Sequence, residues 1–335
     1  MPSSELILPF GLPPPELAKD LLRQMHAPAL ATLLGQASLR HLAADPYAHV
    51  LPHQAWLLGR MGQAAQIADV ALAAMQALGL PKQAGSCFIL QPAHFHIARD
   101  HLVLTDLRHL PLSEPESREL FATAAPLFAE TGMELVWGNA RLWFLRADAL
   151  RELETSAPDM AVGHNIDIWM PKGEGERAWR RIHNEVQMCW HSHAVNEARE
   201  RAGHKPVNAL WCWNARADDG AAPSTKPQAL AAFLPAADWP ATGPGDNGLQ
   251  VFDGLSSAAL AGDWGRWLQA MQEAEQNLFA PALQDLKSGR LTQLRLLLAD
   301  DRQVLQADCS RLALKKFWRR PTLGSLNIPR EDQPA

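Results

Sequence analysis

Residues 184–213, NEVQMCWHSHAVNEARERAGHKPVNALWCW, hold an unusual number of hydrogen-bonding groups for a segment that must also bury an apolar face. Glu185, His191, His193, Asn196 and Arg199 stand among the apolar positions Val186, Cys189, Trp190 and Ala194. Two chemistries suit such residues. Arg, His and Asn donors can bind an oxyanion, and His with Cys can ligate a metal. The metal reading meets a geometric objection. On one helix Cys189 and His193 share a face, but His191 points roughly 160° away from His193. A second polar set, His94, His96, Arg99 and His101, lies along the run from Ala93 to Leu104.

The elements that must position these groups follow from local pattern. Asn184 to Ala202 carries helix formers, Gly203 supplies a stop, and Lys205-Pro206 marks a turn. Val207–Trp213 is an apolar run of strand length with Asn208 near its entrance. Upstream, Cys87–Gln91 reads as a strand and Ala93–Leu104 as extended chain. Ser113 with Glu116 forms a capping box that opens a helix to about Thr131, ended by Gly132. Glu134–Trp137 and Arg141–Arg146 then predict a hairpin around Gly138-Asn139. Ser156–Gly175 reads as a loop containing a short strand, IDIWM. At the start, Glu5–Phe10 predicts a strand, Gly11 to Pro15 a turn and Glu16–Met25 a helix, an opening that fits an α/β sheet. Ala29–Leu78 reads as mostly helical, with a packed helix pair over Leu51–Leu78. Ala217–Gly248 reads as a linker around one strand, Ala229–Leu234. Leu249–Phe252 follows as a strand and Leu260–Leu286 as a long amphipathic helix stopped by Gly289. Thr292–Ala299 and Arg302–Asp308 pair as a hairpin. The closing KKFWRR cluster reads as a helix end with favourable charge.

Several of these residues also carry a family resemblance. Asn184, Glu185, His193, Val195, Asn196, Arg199, Gly203, Pro206 and Asn208 resemble the later insertion-domain segment of archaeal-type cofactor-independent phosphoglycerate mutases, members of the alkaline-phosphatase-like superfamily. Ala194 replaces that pattern's Pro, and Trp213-Asn214 its Arg-Gly. The earlier part of the same domain is matched by Ala98-Arg99, Asp106, Arg108 and Arg141, with His109 and Ala140 as departures. The same layout, Trp-rich and without the catalytic core, looks most like the bacterial RpfE-type regulatory proteins. In the mutases, arginines of this kind hold the substrate's phosphate and carboxylate, a role suited to a permanently charged, bidentate guanidinium. The resemblance therefore implies a ligand-binding set of Arg99, Asp106, Arg108, Arg141, Asn184, Glu185, His193, Asn196, Arg199 and Asn208.

The same comparison implies that the metal motifs are missing. Pro9, Phe10 and Gly11 stand where the first strand should end in a metal-binding Asp. His164 and Asp167 are ligands by type, but Asn165 stands where a carboxylate is wanted. Ala299-Asp300-Asp301 is followed by Arg302, with no His. Thr32 and Ser38 are nucleophiles by type only. The expected fold is α/β, a degenerate alkaline-phosphatase-like mixed sheet with helices on both faces (residues 1–85 and 216–335). An α+β insertion domain is expected over 86–215. Without metals, phosphoryl transfer lacks its charge stabilisation and activated nucleophile. The expectation is a non-catalytic regulatory protein, without cofactor or metal, that binds a small phosphorylated or carboxylate metabolite or a protein partner. The alternative is an active mutase or phosphatase with a rebuilt metal site.

Composition bounds these readings. The 335 residues suffice for two domains, and 47% hydrophobic with 20% charged content is that of an ordinary globular protein. A formal net charge of −5 gives no global attraction to nucleic acid or anionic membranes. No apolar run reaches the roughly 18 residues of a membrane span. The start MPSSELILPF lacks a basic n-region, so no signal peptide and a cytoplasmic location are expected. The four cysteines, Cys87, Cys189, Cys212 and Cys309, form no C-x-x-C pair and read as reduced thiols. Most of the 12 tryptophans read as core.

Overall fold

A computed structural model describes residues 3–45, 48–61, 69–81, 85–218, 227–234, 248–316 and 318–329. The chain divides into two compact units, residues 1–47 with 242–335, and residues 48–241. Strand β1 (Ser3–Leu8) opens the first unit, with Leu6, Ile7 and Leu8 all buried. Consecutive burial of this kind marks a strand covered on both faces, inside a sheet rather than at its edge. Helices α1 (Pro15–Gln24) and α2 (Pro28–Gln36) each start on proline, whose missing N–H costs nothing at a first helical position. Strand β2 (Ser38–Ala43) follows. The sequence expectation there was helix. Most of its residues are exposed and it lies at a sheet edge, so pairing with a distant strand overrides local propensity.

The second unit opens with α3 (Pro52–Arg60) and α4 (Val70–Ala77). The expected helix pair is present in part, with residues 62–68 outside the described set. Strand β3 (Gly85–Ala93) leads into a hairpin of β4 (Phe95–Ala98) and β5 (His101–Leu104). Helix α5 (Glu114–Glu130) begins as expected. Ser113 Oγ accepts from the Glu116 N–H, and the Glu116 carboxylate accepts from the Ser113 N–H. Strands β6 (Glu134–Trp137) and β7 (Trp143–Arg146) form the expected hairpin, with Leu135 opposite Leu145. The short strands β8 (Leu153–Glu154) and β9 (Lys172–Gly173) flank a one-turn helix α6 (Pro158–Ala161). The IDIWM segment is not a strand. Ile166–Ile168 is a 3-10 turn in which Asn165 Oδ1 accepts from the Asp167 N–H. Helices α7 (Glu176–His191) and α8 (Ala194–Arg201) replace the single helix expected over Asn184–Ala202. The break arises because His193 leaves the helix and caps the next one, its Nδ1 accepting from the Val195 N–H. Strand β10 (Ala209–Asp218) closes the sheet. The segment expected as strand 229–234 instead contains the end of a helical turn, α9 (Pro227–Leu230). Within the expected linker, residues 219–226 and 235–247 lie outside the described set.

Strands β10, β3, β7 and β6 form an antiparallel sheet in that order. Phe88, Leu90, Trp143, Leu145, Leu210 and Cys212 share one face of it and pack with Leu120, Ala124 and Phe128 of α5 and Trp179, Ile182, Val186 and Trp190 of α7. The tryptophans fill this core, and two of them use their single donor inside it, whereas Trp179 Nε1 is buried with no acceptor among the described residues. Trp143 Nε1 donates to Ser117 Oγ, and Trp190 Nε1 donates to the Leu120 carbonyl.

The chain returns to the first unit with β11 (Leu249–Val251) and α10 (Ser256–Leu260). The long helix expected over 260–286 starts only at Trp264, after the Gly262 turn. It comprises α11 (Trp264–Ala274), a π turn over Glu275–Phe279, and α12 (Ala280–Ser288), with Gly289 left-handed at its end. Buried Glu275 accepts from the N–H groups of Ala29 and Leu30, capping α2 from across the unit. Strands β12 (Gln293–Ala299) and β13 (Gln303–Ser310) form the expected hairpin. The sheet order is β11-β1-β12-β13-β2, parallel on one side of β12 and antiparallel on the other. The protein is thus mixed α/β, with this mixed sheet in one unit and the helix-covered antiparallel sheet in the other.

Candidate functional site

The ten sequence-predicted residues all fall in the second unit, and the structure distributes them over several environments. Asp106 and Arg108 meet at the 3-10 turn after β5. Arg108 Nε donates to Asp106, and its two terminal nitrogens reach Asp159 at 2.8 and 3.1 Å. Burial works against the guanidinium charge, but Asp159 and Asp106 outweigh it and hold Arg108 firmly protonated. Two carboxylates therefore already occupy this arginine. Gln54, Gln91 and Phe233 line a small cleft beside it.

Asn196 and Asn208 are bound by backbone. Asn196 Nδ2 donates to the Trp190 and Val207 carbonyls, and its Oδ1 accepts from the Val207 N–H. This bonding holds the end of α7 against the chain entering β10. Asn208 exchanges two hydrogen bonds with the backbone of Phe95, pinning β4 to the same entrance. Asn184 is exposed on α7, Glu185 pairs with Arg181, and His193 caps α8. Arg141 lies in the β6–β7 turn, where its N–H donates to Asn139 Oδ1. Arg99 is exposed at the β4–β5 turn with a left-handed backbone, φ 62°.

Arg199 leads to a group that the sequence reading did not assemble. Its side chain is only 2% exposed. Nε donates to the Lys205 carbonyl, Nη1 to Glu116 Oε1, and Nη2 has no acceptor among the described residues. Burial opposes charge on Glu116, yet Ser113 and Arg199 hold its carboxyl below the ordinary range. The Lys205 ammonium donates to Thr105 Oγ1 at 3.2 Å, and Thr105 Oγ1 lies 3.3 Å from His96 Nδ1. The His94 and His96 rings stack at 5.9 Å with planes 10° apart, and His94 Nδ1 donates to the Pro206 carbonyl at 2.8 Å. Burial first, and then the Lys205 charge, holds both imidazoles below their usual range. Two fixed cations, two imidazoles and a hydroxyl thus gather at the corner between β3, β4, β5 and the turn before β10. The carboxylate bonded into this group is Glu116.

One signal for this corner was present in the sequence. His94 and His96 are spaced by two, the period of one strand face. Thr105 and Lys205 carried none, because 100 residues separate them along the chain. Among the described residues, no group of three or more His, Cys, Asp or Glu side chains is placed to hold a metal ion. No helix among them is long and apolar enough to cross a membrane.

No protein-family model matches the chain. No curated protein matches it either. Among solved structures it is similar to a cofactor-independent phosphoglycerate mutase from Thermoplasma acidophilum DSM 1728, with TM-score 0.38 and 15% identity over 98% of this chain and 95% of that one. It is also similar to the PH0037 protein from Pyrococcus horikoshii, with TM-score 0.43 and 11% identity over 92% of this chain and 87% of that one. Likeness at this level assigns no activity.

Proposed function

We propose that this chain is a non-catalytic regulatory protein of RpfE type that binds a small anionic metabolite, phosphorylated or carboxylate, in its second unit. The observation that carries the reading is the basic corner of His94, His96, Lys205 and Arg199, with Glu116 as its bonded carboxylate. Lys205 in particular donates to a hydroxyl and has no carboxylate partner among the described residues. Lys205 is exposed and keeps two ammonium hydrogens beyond the one given to Thr105, so an incoming anion can take charge-assisted hydrogen bonds from it without first displacing a carboxylate. The non-catalytic part rests on residue types. Strand β1 runs into Pro9, Phe10 and Gly11, which offer no carboxylate, and β12 ends before Asp300-Asp301-Arg302, which offers no histidine.

Binding and turnover are tested together. Purified protein is titrated with 3-phosphoglycerate while thermal unfolding is followed, and the same preparation is assayed for mutase activity with manganese. The expected result is stabilisation without turnover. A hundredfold excess over the dissociation constant should stabilise the fold by about 2.7 kcal/mol. Turnover that disappears on chelation would overturn the reading in favour of an active phosphoglycerate mutase or phosphatase. An equal response to chloride at matched ionic strength would reduce the effect to screening.

A further inference from the structure

We propose that the corner formed by His94, His96, Thr105 and Lys205 is the anion seat, and that it takes the dianion of a phosphate monoester in preference to a monocarboxylate. This rests on the anion-binding reading above and adds its location and ligand class. Two of the hydrogen-bond directions, those of Lys205 and His94, follow from the groups themselves. An ammonium can only donate, so Thr105 Oγ1 accepts from Lys205 and has its own hydrogen to offer His96 Nδ1. In this proposal His96 takes the tautomer that accepts this hydrogen, with its ring hydrogen on Nε2 as a donor already in the neutral ring. A carbonyl can only accept, so His94 keeps its hydrogen on Nδ1, bonded to Pro206, and its Nε2 is the atom that takes up a proton. Arg199 acts as a positioning residue. Its Nε bond to the Lys205 carbonyl and its ion pair to Glu116 fix the turn that carries the lysine.

The donor count distinguishes the two ligand classes. A carboxylate brings one charge and two oxygens, and the exposed Lys205 alone suffices for it. A phosphate monoester brings nearly two charges at neutral pH and three acceptor oxygens. The two remaining Lys205 hydrogens and His96 Nε2 supply three donors for them. His94 Nε2 supplies the site for a proton drawn in by the second charge. Burial first, and then the Lys205 charge, lowers the proton affinity of both imidazoles, and a dianion bound beside them raises it again, so binding draws in protons.

The test uses three probes at constant ionic strength on the full chain: glycerol 3-phosphate, glycerate and 3-phosphoglycerate, each titrated by calorimetry. Glycerol 3-phosphate should bind about tenfold or more tightly than glycerate. Its binding should also take up protons, seen as a heat that changes with the ionisation enthalpy of the buffer. Lys205→Ala, at an exposed position, should weaken it by about tenfold or more without moving the unliganded melting temperature. His96→Gln should weaken it less. Glycerate binding as tightly as glycerol 3-phosphate would overturn the phosphate assignment while leaving anion binding itself standing. Unchanged affinity in Lys205→Ala would overturn the location. No heat with any of the three would overturn both this inference and the reading it rests on.

Discussion

Mild acid should loosen the second unit well before its carboxylates are protonated, because two of its histidines are buried as neutral rings. His53 is 2% exposed and His183 4%, and burial lowers each pKa from 6.5 to about 4. The Leu210 N–H donates to His183 Nε2, a bond that protonation of that nitrogen would break. His53 faces the Ala232 carbonyl through Nε2, while its Nδ1 is buried without a partner among the described residues. The sign follows from proton counting. Between pH 6.5 and about 4 the unfolded chain binds protons at these rings and the folded chain does not, so stability falls as pH falls through that window. Integrated from pH 7.5 to pH 5, the loss is about 2 kcal/mol per ring, or about 4 kcal/mol for both, a large share of a typical domain's stability. Urea melts followed by tryptophan fluorescence at pH 7.5, 6.5, 5.5 and 5 measure it. His183→Gln should halve the slope against pH whatever it does to stability at pH 7.5. A wild-type slope near zero over this range, or a His183→Gln slope equal to wild type, would refute the reasoning.

Other outcomes follow from single contacts. Trp143→Ala removes a ring with no exposure and its bond to Ser117 Oγ, which keeps its own bond to the Ala140 carbonyl, and should lower stability by about 3–5 kcal/mol in urea melts. Asn196→Ala leaves the Val207 N–H and carbonyl without their partner inside the unit, while the Trp190 carbonyl keeps the His193 N–H, and should cost about 2–3 kcal/mol, so loss of ligand response in that variant must be compared at equal folded fraction. Arg108→Met leaves Asp106 and Asp159 without their cation and should cost about 2–3 kcal/mol. Further replacement of Asp159 by Asn should restore part of it in a double-mutant cycle.

Much of the fold was legible where local chemistry and tertiary packing agree. Ser113 and Glu116 can satisfy each other only at a helix start, and α5 begins there. The apolar runs at Glu134–Trp137 and Trp143–Arg146, with Gly138-Asn139 between them, pair as a hairpin. The illegible elements are those decided at a distance. Ser38–Ala43 becomes a strand because β13 offers it an edge. Helix α7 ends at His191 because Asn196 ties the Trp190 carbonyl to Val207 on the way into β10, leaving His193 to cap a new helix. That break also removes the single-helix geometry on which the relation of Cys189, His191 and His193 was judged.

For the site, residue type alone identified groups able to meet an anion, since guanidinium, imidazole and amide donors keep that capacity in any fold. Their availability was decided only by tertiary structure. Arg108 is occupied by two carboxylates, and Asn196 and Asn208 by backbone. Lys205 and His96, more than 100 residues apart, meet through the hydroxyl of Thr105. A side chain's charge and donor count are properties of the residue. Which partner satisfies them depends on contacts between distant segments, and those exist only once strands β3 and β10 have paired and brought their ends together.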